Sequence, residues 1–190
     1  MARTRTFIAV DVAEGVRDAT TELIEYLSQC EAKVRWVAGE NRHVTLKFLG
    51  EQPDKRLGDI CSAAQRAARE VEPFHAQFHG LGAFPNVQRP RTVWVGVTDG
   101  REPFRQLFNA MEHELAQVGI RKERRGFQPH LTIGRVRQGG PGQQELAGLL
   151  EQQAEFDGGG TIVREAIVFA SNLDREGPVY TVLARAPLGK

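Results

Sequence analysis

HVTLKFLG, residues 43–50, and HLTIGRV, residues 130–136, carry one phrase twice: His, apolar, Thr, apolar. The chain has only five histidines, and threonine fills 10 of its 190 positions. Two such phrases among five histidines are a coincidence with odds on the order of one in a thousand. Alternate residues of a strand share a face. If each phrase is a strand, His43, Thr45 and Lys47 point one way, and Val44, Leu46 and Phe48 point the other way into a core. His130 and Thr132 likewise point away from Leu131 and Ile133. Imidazole and hydroxyl on one strand then sit roughly 7 Å apart at the backbone, both within reach of one small anion. Two such strands side by side predict a fold with internal pseudo-two-fold symmetry and the phrases at its centre.

The flanking sequence supports that arrangement. FIAVDV (7–12), KVRWV (33–37) and TVWVGV (92–97) are strand-like apolar runs, and residues 74–79 alternate Phe, Ala, Phe with His, Gln, His. Apolar residues spaced three and four apart predict helices over 14–29, over 53–71 with Pro53 in the first turn, and over 104–118. A short helix near 143–152 and two late strands, near 161–170 and 179–186, complete the chain. This order predicts an α+β chain of two related lobes, one His-x-Thr strand in each, forming a single bilobal domain over 1–190.

Bulk properties bound the rest. Apolar residues make up 41% and charged residues 26%, an ordinary globular balance. No apolar run approaches the roughly 20 residues of a membrane span. MARTRTFIAVDV reads as a first strand, because Asp11 interrupts it and no long apolar segment follows the basic residues. Cys30 and Cys61 lie far apart in no metal or disulfide pattern. Together these predict a cytoplasmic protein, and nothing argues against a monomer. A net charge of +1 gives no whole-molecule field for nucleic acid, so any such contact must come from local basic patches.

Two imidazoles near neutral pH can serve as one base and one acid. Threonine hydroxyls can donate to the non-bridging oxygens of a phosphate, where charge gathers in the transition state. That set suits metal-independent cleavage of a strained cyclic phosphodiester. A zinc site is the rival, but threonine is a poor zinc ligand and no carboxylate joins either phrase. Two edge histidines held by backbone would be the structural alternative, plausible for one copy and strained for two.

HVTLKFLGE (43–51) and FQPHLTIGRV (127–136) resemble the two signatures of the RNA 2',3'-cyclic phosphodiesterase family, also called 2'-5' RNA ligases, within the 2H phosphoesterase superfamily. The resemblance extends over the chain, through FIAVDV (7–12) and LGAFPNVQRPRTVWVG (81–96). It implies a bilobal α+β fold, two pseudo-symmetric lobes of antiparallel sheet plus helices around a central cleft, with no cofactor and no metal. The implied partner is RNA with a 2',3'-cyclic phosphate or a 2'-5' linkage, tRNA-like ends among them. The implied reaction is hydrolysis to the 2'-phosphomonoester, with a weaker reversible joining of 2'-5' linkages. It also implies His43 as proton donor and His130 as proton acceptor; strand geometry leaves that assignment open. Two other readings stay beside it: a cyclic phosphodiesterase for a small nucleotide, and an RNA-end or nucleotide-binding module without turnover.

Further candidates surround the phrases. Lys47 shares the His43 face, either as a cation that binds phosphate alongside Thr45 and Thr132 or as a solvated strand lysine. Strict alternation places Arg135 on the core face, where an unpaired charge is costly; a bulge or bend at Gly134 would re-aim it toward phosphate. RKERR (121–125) and QRPR (88–91) are either RNA-backbone contacts or solvated surface. Phe48, Phe84, Trp36 and Trp94 are expected in the core rather than as platforms for bases. His75 and His79 are roughly 13 Å apart on a strand, too far to share an ion. His113 is expected to face solvent.

Overall fold

The structure is a computed structural model that describes residues 2–173 and 177–189. In chain order, the strands are β1 (Arg3–Asp11), β2 (Val34–Trp36), β3 (His43–Pro53), β4 (Phe74–Phe84), β5 (Thr92–Val97), β6 (His130–Val136), β7 (Asp157–Val163), β8 (Glu165–Leu173) and β9 (Pro178–Pro187). The helices are α1 (Glu14–Leu27), α2 (Leu57–Ala68), α3 (Arg101–Gln117) and α4 (Gln143–Gln152). Each helix buries one stripe. In α1 it is Val16, Thr20, Leu23, Ile24 and Leu27, the three-and-four spacing visible in the sequence. In α2 it includes Ala63, Ala64, Ala67 and Ala68, whose small side chains let α2 pack closely against α3. Among the described residues no helix is long and apolar enough to cross a membrane.

All strands join one antiparallel sheet in the order β7-β4-β5-β6-β3-β1-β8-β9, with β2 added beside β6. Both His-x-Thr strands are therefore the innermost pair, and each heads a run of four strands. The halves interleave along the chain: β4 and β5 join β6, whereas β8 and β9 return to join β1 and β3. Helix α1 packs on β7, and α2 packs on β8 and β9, so each half-sheet is covered by helices.

Two expectations need correction. The late segment near 161–170 is two strands, not one: β7 pairs with β4 at one end of the sheet, and β8 pairs with β1 in the other half. Only Arg164 separates them. No glycine or proline marks that break, while Gly158, Gly159 and Gly160 disguise the true start of β7. The second helix begins at Leu57 and not at Pro53, which ends β3 before a 3-10 turn over Asp54–Arg56.

Candidate active site

β3 and β6 pair at one position, Val44 against Leu131. Antiparallel register then sets His43 beside Thr132 and Thr45 beside His130 on one face, while Val44 and Leu131 are fully buried on the other. All four polar side chains are half-buried. Among the described residues neither threonine hydroxyl has a protein hydrogen-bond partner, which leaves both free to meet a ligand.

Each histidine is fixed in the same way. His130 Nδ1 lies 2.7 Å from the carbonyl of Gln128, two residues earlier, and His43 is hydrogen-bonded to the carbonyl of Asn41, also two residues earlier. A carbonyl only accepts, so the ring nitrogen facing it carries the proton and, for His130, Nε2 is left for chemistry. Aromatic rings hold both imidazoles. Phe7 stacks on His43 at 5.0 Å and Tyr180 meets it edge-on at 5.5 Å. Phe84 meets His130 edge-on at 5.1 Å, with Trp94 at 6.1 Å. Burial pushes the His43 pKa down to about 4, opposed by the Asn41 carbonyl and Asp11 and reinforced by Arg135. Burial also lowers His130, against the Gln128 carbonyl and again with Arg135. The cleft therefore holds two neutral imidazoles at pH 7.

Arg42, buried and immediately before His43, clamps that strand's approach. Its guanidinium donates to the Val37 and Arg17 carbonyls at 3.0 and 2.7 Å and to the hydroxyls of Thr20 and Thr21 at 2.9 and 2.7 Å. Nothing in the local sequence pattern marks it, because a lone arginine ahead of a strand is ordinarily solvated.

Two matched irregularities decide the remaining residues. In β3 the register slips between Ile8 and Ala9 of the neighbouring strand, leaving Leu46 unmatched; in β6 it slips between Val93 and Trp94, leaving Ile133 unmatched. Each slip adds one residue just after the threonine and inverts the alternation beyond it. Arg135 is thereby exposed on the His130 face, and its charge reaches His43, His130 and Tyr180. The bulge expected at Gly134 falls one residue earlier, with the same result. Gly134 is needed for another reason: a Cβ there would lie 2.6 Å from the Trp36 ring.

The same inversion takes Lys47 out of the site. Expected at the phosphate, it is buried on the opposite face, ion-paired with Glu112 of α3 and donating to the Arg121 carbonyl at 3.0 Å. Phe48 takes the outward position instead and is 65% exposed, so it is not core. Phe84, Trp36 and Trp94 are partly buried around the cleft. Two further residues carry no signal in the sequence. Arg35 lies directly opposite Arg135 in the β2–β6 ladder, a placement of like charges that is unfavourable by itself. Tyr180, far along the chain from His43, reaches it only because β9 returns to this half-sheet. His75 pairs with Asp99 at 3.2 Å on the surface, and His113 is exposed.

The arrangement has known counterparts. A sequence model of the 2'-5' RNA ligase superfamily matches residues 22–167. An RNA 2',3'-cyclic phosphodiesterase of Methanothermobacter thermautotrophicus is 36% identical over 94% of this chain and 96% of its own length. The protein of that name from Archaeoglobus fulgidus is 36% identical over 93% of this chain and 96% of its own. Among solved structures, TT0787 of Thermus thermophilus superposes with a TM-score of 0.82 at 29% identity, covering 98% of this chain and 99% of that one. E. coli LigT complexed with 3'-AMP gives 0.76 at 25% identity over the full length of both chains. These matches cover the same two strands and cleft that the residues build on their own, and the chain belongs to the 2'-5' RNA ligase superfamily.

Proposed function

We propose that this protein is an RNA 2',3'-cyclic phosphodiesterase that works by two-histidine acid–base catalysis. The observation that carries the reading is the Val44–Leu131 register, which sets two His-x-Thr pairs on one face with Arg135 beside them. The activity in the names of relatives 36% identical over nearly the whole chain supports the same reaction class.

Thr45 and Thr132 donate to the non-bridging oxygens of the cyclic phosphate, and Arg135 offsets its charge. His130, neutral with Nε2 free, takes a proton from water as the water oxygen bonds to phosphorus. The bond from phosphorus to the 3'-oxygen breaks, and His43 gives that oxygen its proton. The products are a 2'-phosphomonoester and a free 3'-hydroxyl. Proton exchange with solvent then resets both rings. With a ribose 5'-hydroxyl in place of water, the same attack on phosphorus and the same loss of the 3'-oxygen join a 2'-5' linkage, and the reverse of that step cleaves it. His43 must be protonated to act as donor, and burial disfavours that. A bound phosphodiester anion favours the imidazolium and meets the Arg135 charge that opposed it, so substrate binding itself arms the acid.

The test is product analysis on a short RNA ending in a 2',3'-cyclic phosphate, with EDTA present. Conversion to the 2'-phosphate alone is expected. A 3'-phosphate product, or turnover only after metal is added, defeats the reading. No conversion with RNA still bound favours a binding module.

A further inference from the structure

β3 and β6 share one paired position and then part, so the gap between them has two ends. One end is closed by β2, which ladders onto β6. At the other, β3 runs on through Lys47 and Phe48 beside the segment 121–129, which is not a strand. That segment has no ladder to satisfy its backbone. The buried Lys47–Glu112 pair substitutes for one: Lys47 donates to the Arg121 carbonyl at 3.0 Å, and Glu112 Oε2 accepts from the Glu123 amide at 2.7 Å. Phe127 completes the anchorage by stacking on Phe108 of α3 at 4.5 Å.

What is held this way is RKERR. Its one acidic side chain, exposed, folds back on its own loop: Glu123 Oε1 accepts the Arg124 and Arg125 amides at 2.8 and 3.2 Å. Those two donors hold the Glu123 carboxyl below its usual range. Arg121, Lys122, Arg124 and Arg125 are all exposed, and among the described residues none joins an ion pair. The whole chain is only +1, and this stretch of four cations and one acid is +3, so the rest is net −2. Arg125 is five residues from His130, at most ~18 Å of extended chain.

We infer that residues 121–125 form a landing strip for the phosphates of the nucleotides just before the reacting RNA end, so that the enzyme prefers an oligonucleotide to a nucleoside cyclic phosphate. The inference rests on the activity proposed above and names the stretch of this chain that grips the RNA beyond its reacting end. A solvated charge run needs no buried ion pair beneath its backbone, and single-stranded nucleic acid is gripped by positive surfaces that track its phosphates. Phe48, exposed beside Phe7 on the His43 face of β3, lies at the same end of the gap.

The experiment compares wild type with Arg121→Ala/Lys122→Ala/Arg124→Ala/Arg125→Ala on two substrates, a nucleoside 2',3'-cyclic monophosphate and a short RNA with the same cyclic end. Every substituted side chain is exposed, so folding is retained; Arg124→Ala/Arg125→Ala serves as a milder second variant. The expected result is a loss of about tenfold in kcat/KM on RNA, with the mononucleotide rate unchanged. The slope of log(kcat/KM) against log salt falls by about 0.7 for each phosphate that the variant no longer neutralises. A parallel fall on both substrates, or no change on either, overturns the inference. If wild type turns over neither substrate, the activity reading fails by itself. Fluorescence anisotropy with labelled RNA then decides: weaker, less salt-sensitive binding by the variant supports the landing strip, and equal binding overturns it.

Discussion

Acid should destabilise this protein through His43 in particular. The ring is held neutral by burial, with its pKa at about 4 against 6.5 for the free side chain. Below pH 6.5 the unfolded chain binds a proton that the folded one refuses, so stability is full above that pH and declines as pH falls toward 4. From these two values, folding loses about 2 kcal/mol by pH 5 and about 3 kcal/mol by pH 4, relative to pH 8. Replacing His43 with Gln removes that linkage while most other titrating groups are common to both proteins. The assay is urea unfolding of wild type and His43→Gln at several pH values. With an m-value of about 2 kcal/mol/M, the difference between the two midpoints should change by about 1 M between pH 8 and pH 5, wild type losing ground. A difference that stays constant with pH, or one that moves the other way, would refute the claim that the unliganded protein keeps His43 uncharged.

Other substitutions separate the site from its supports. Lys47→Met leaves Glu112 buried without its cation and should cost about 3 to 5 kcal/mol in denaturant unfolding; adding Glu112→Leu should recover much of it, and a neutral single variant would mean the pair is not buried. Arg42→Met removes four hydrogen bonds ahead of His43 and should lower stability by about 2 to 4 kcal/mol; unchanged melting would contradict the clamp. Phe48→Ala should stay within about 0.5 kcal/mol of wild type because the ring is exposed, whereas Phe7→Ala, buried under His43, should cost about 3 to 5 kcal/mol. Equal effects of the two would show that Phe48 is core after all.

The paired phrases carried most of what the sequence could say. Their two-residue period gave both strands, and their repetition placed them together, because the same local pattern has the same use in each half-sheet. What failed was alternation beyond the threonines. A β-bulge comes from how neighbouring strands slide, and β1 and β5, distant in the chain from β3 and β6, cause these slips. Lys47 and Phe48 therefore lie on the faces opposite to those that strict alternation predicts, and the slip at Ile133 turns Arg135 toward the cleft. Arg35 and Tyr180 were illegible for a different reason. Each is placed by a tertiary pairing, β2 on β6 and β9 on β8, that leaves no mark on the residue's own neighbourhood. The break at Arg164 was hidden because strand-forming residues continue on both sides of it.

That His43 and His130 divide the proton transfers between them is tested most directly by the pH dependence of kcat, which reports the substrate-bound state in which His43 carries its proton. The substrate is a cyclic-phosphate RNA, and the proteins are wild type, His43→Ala and His130→Ala. Wild type should give a bell, falling in acid as the base is protonated and in alkali as the acid is lost. His130→Ala should lose the acid limb and His43→Ala the alkaline limb, each with a rate lower by about 10² to 10⁴. Two variants that retain both limbs, or either one at wild-type speed, would contradict the account.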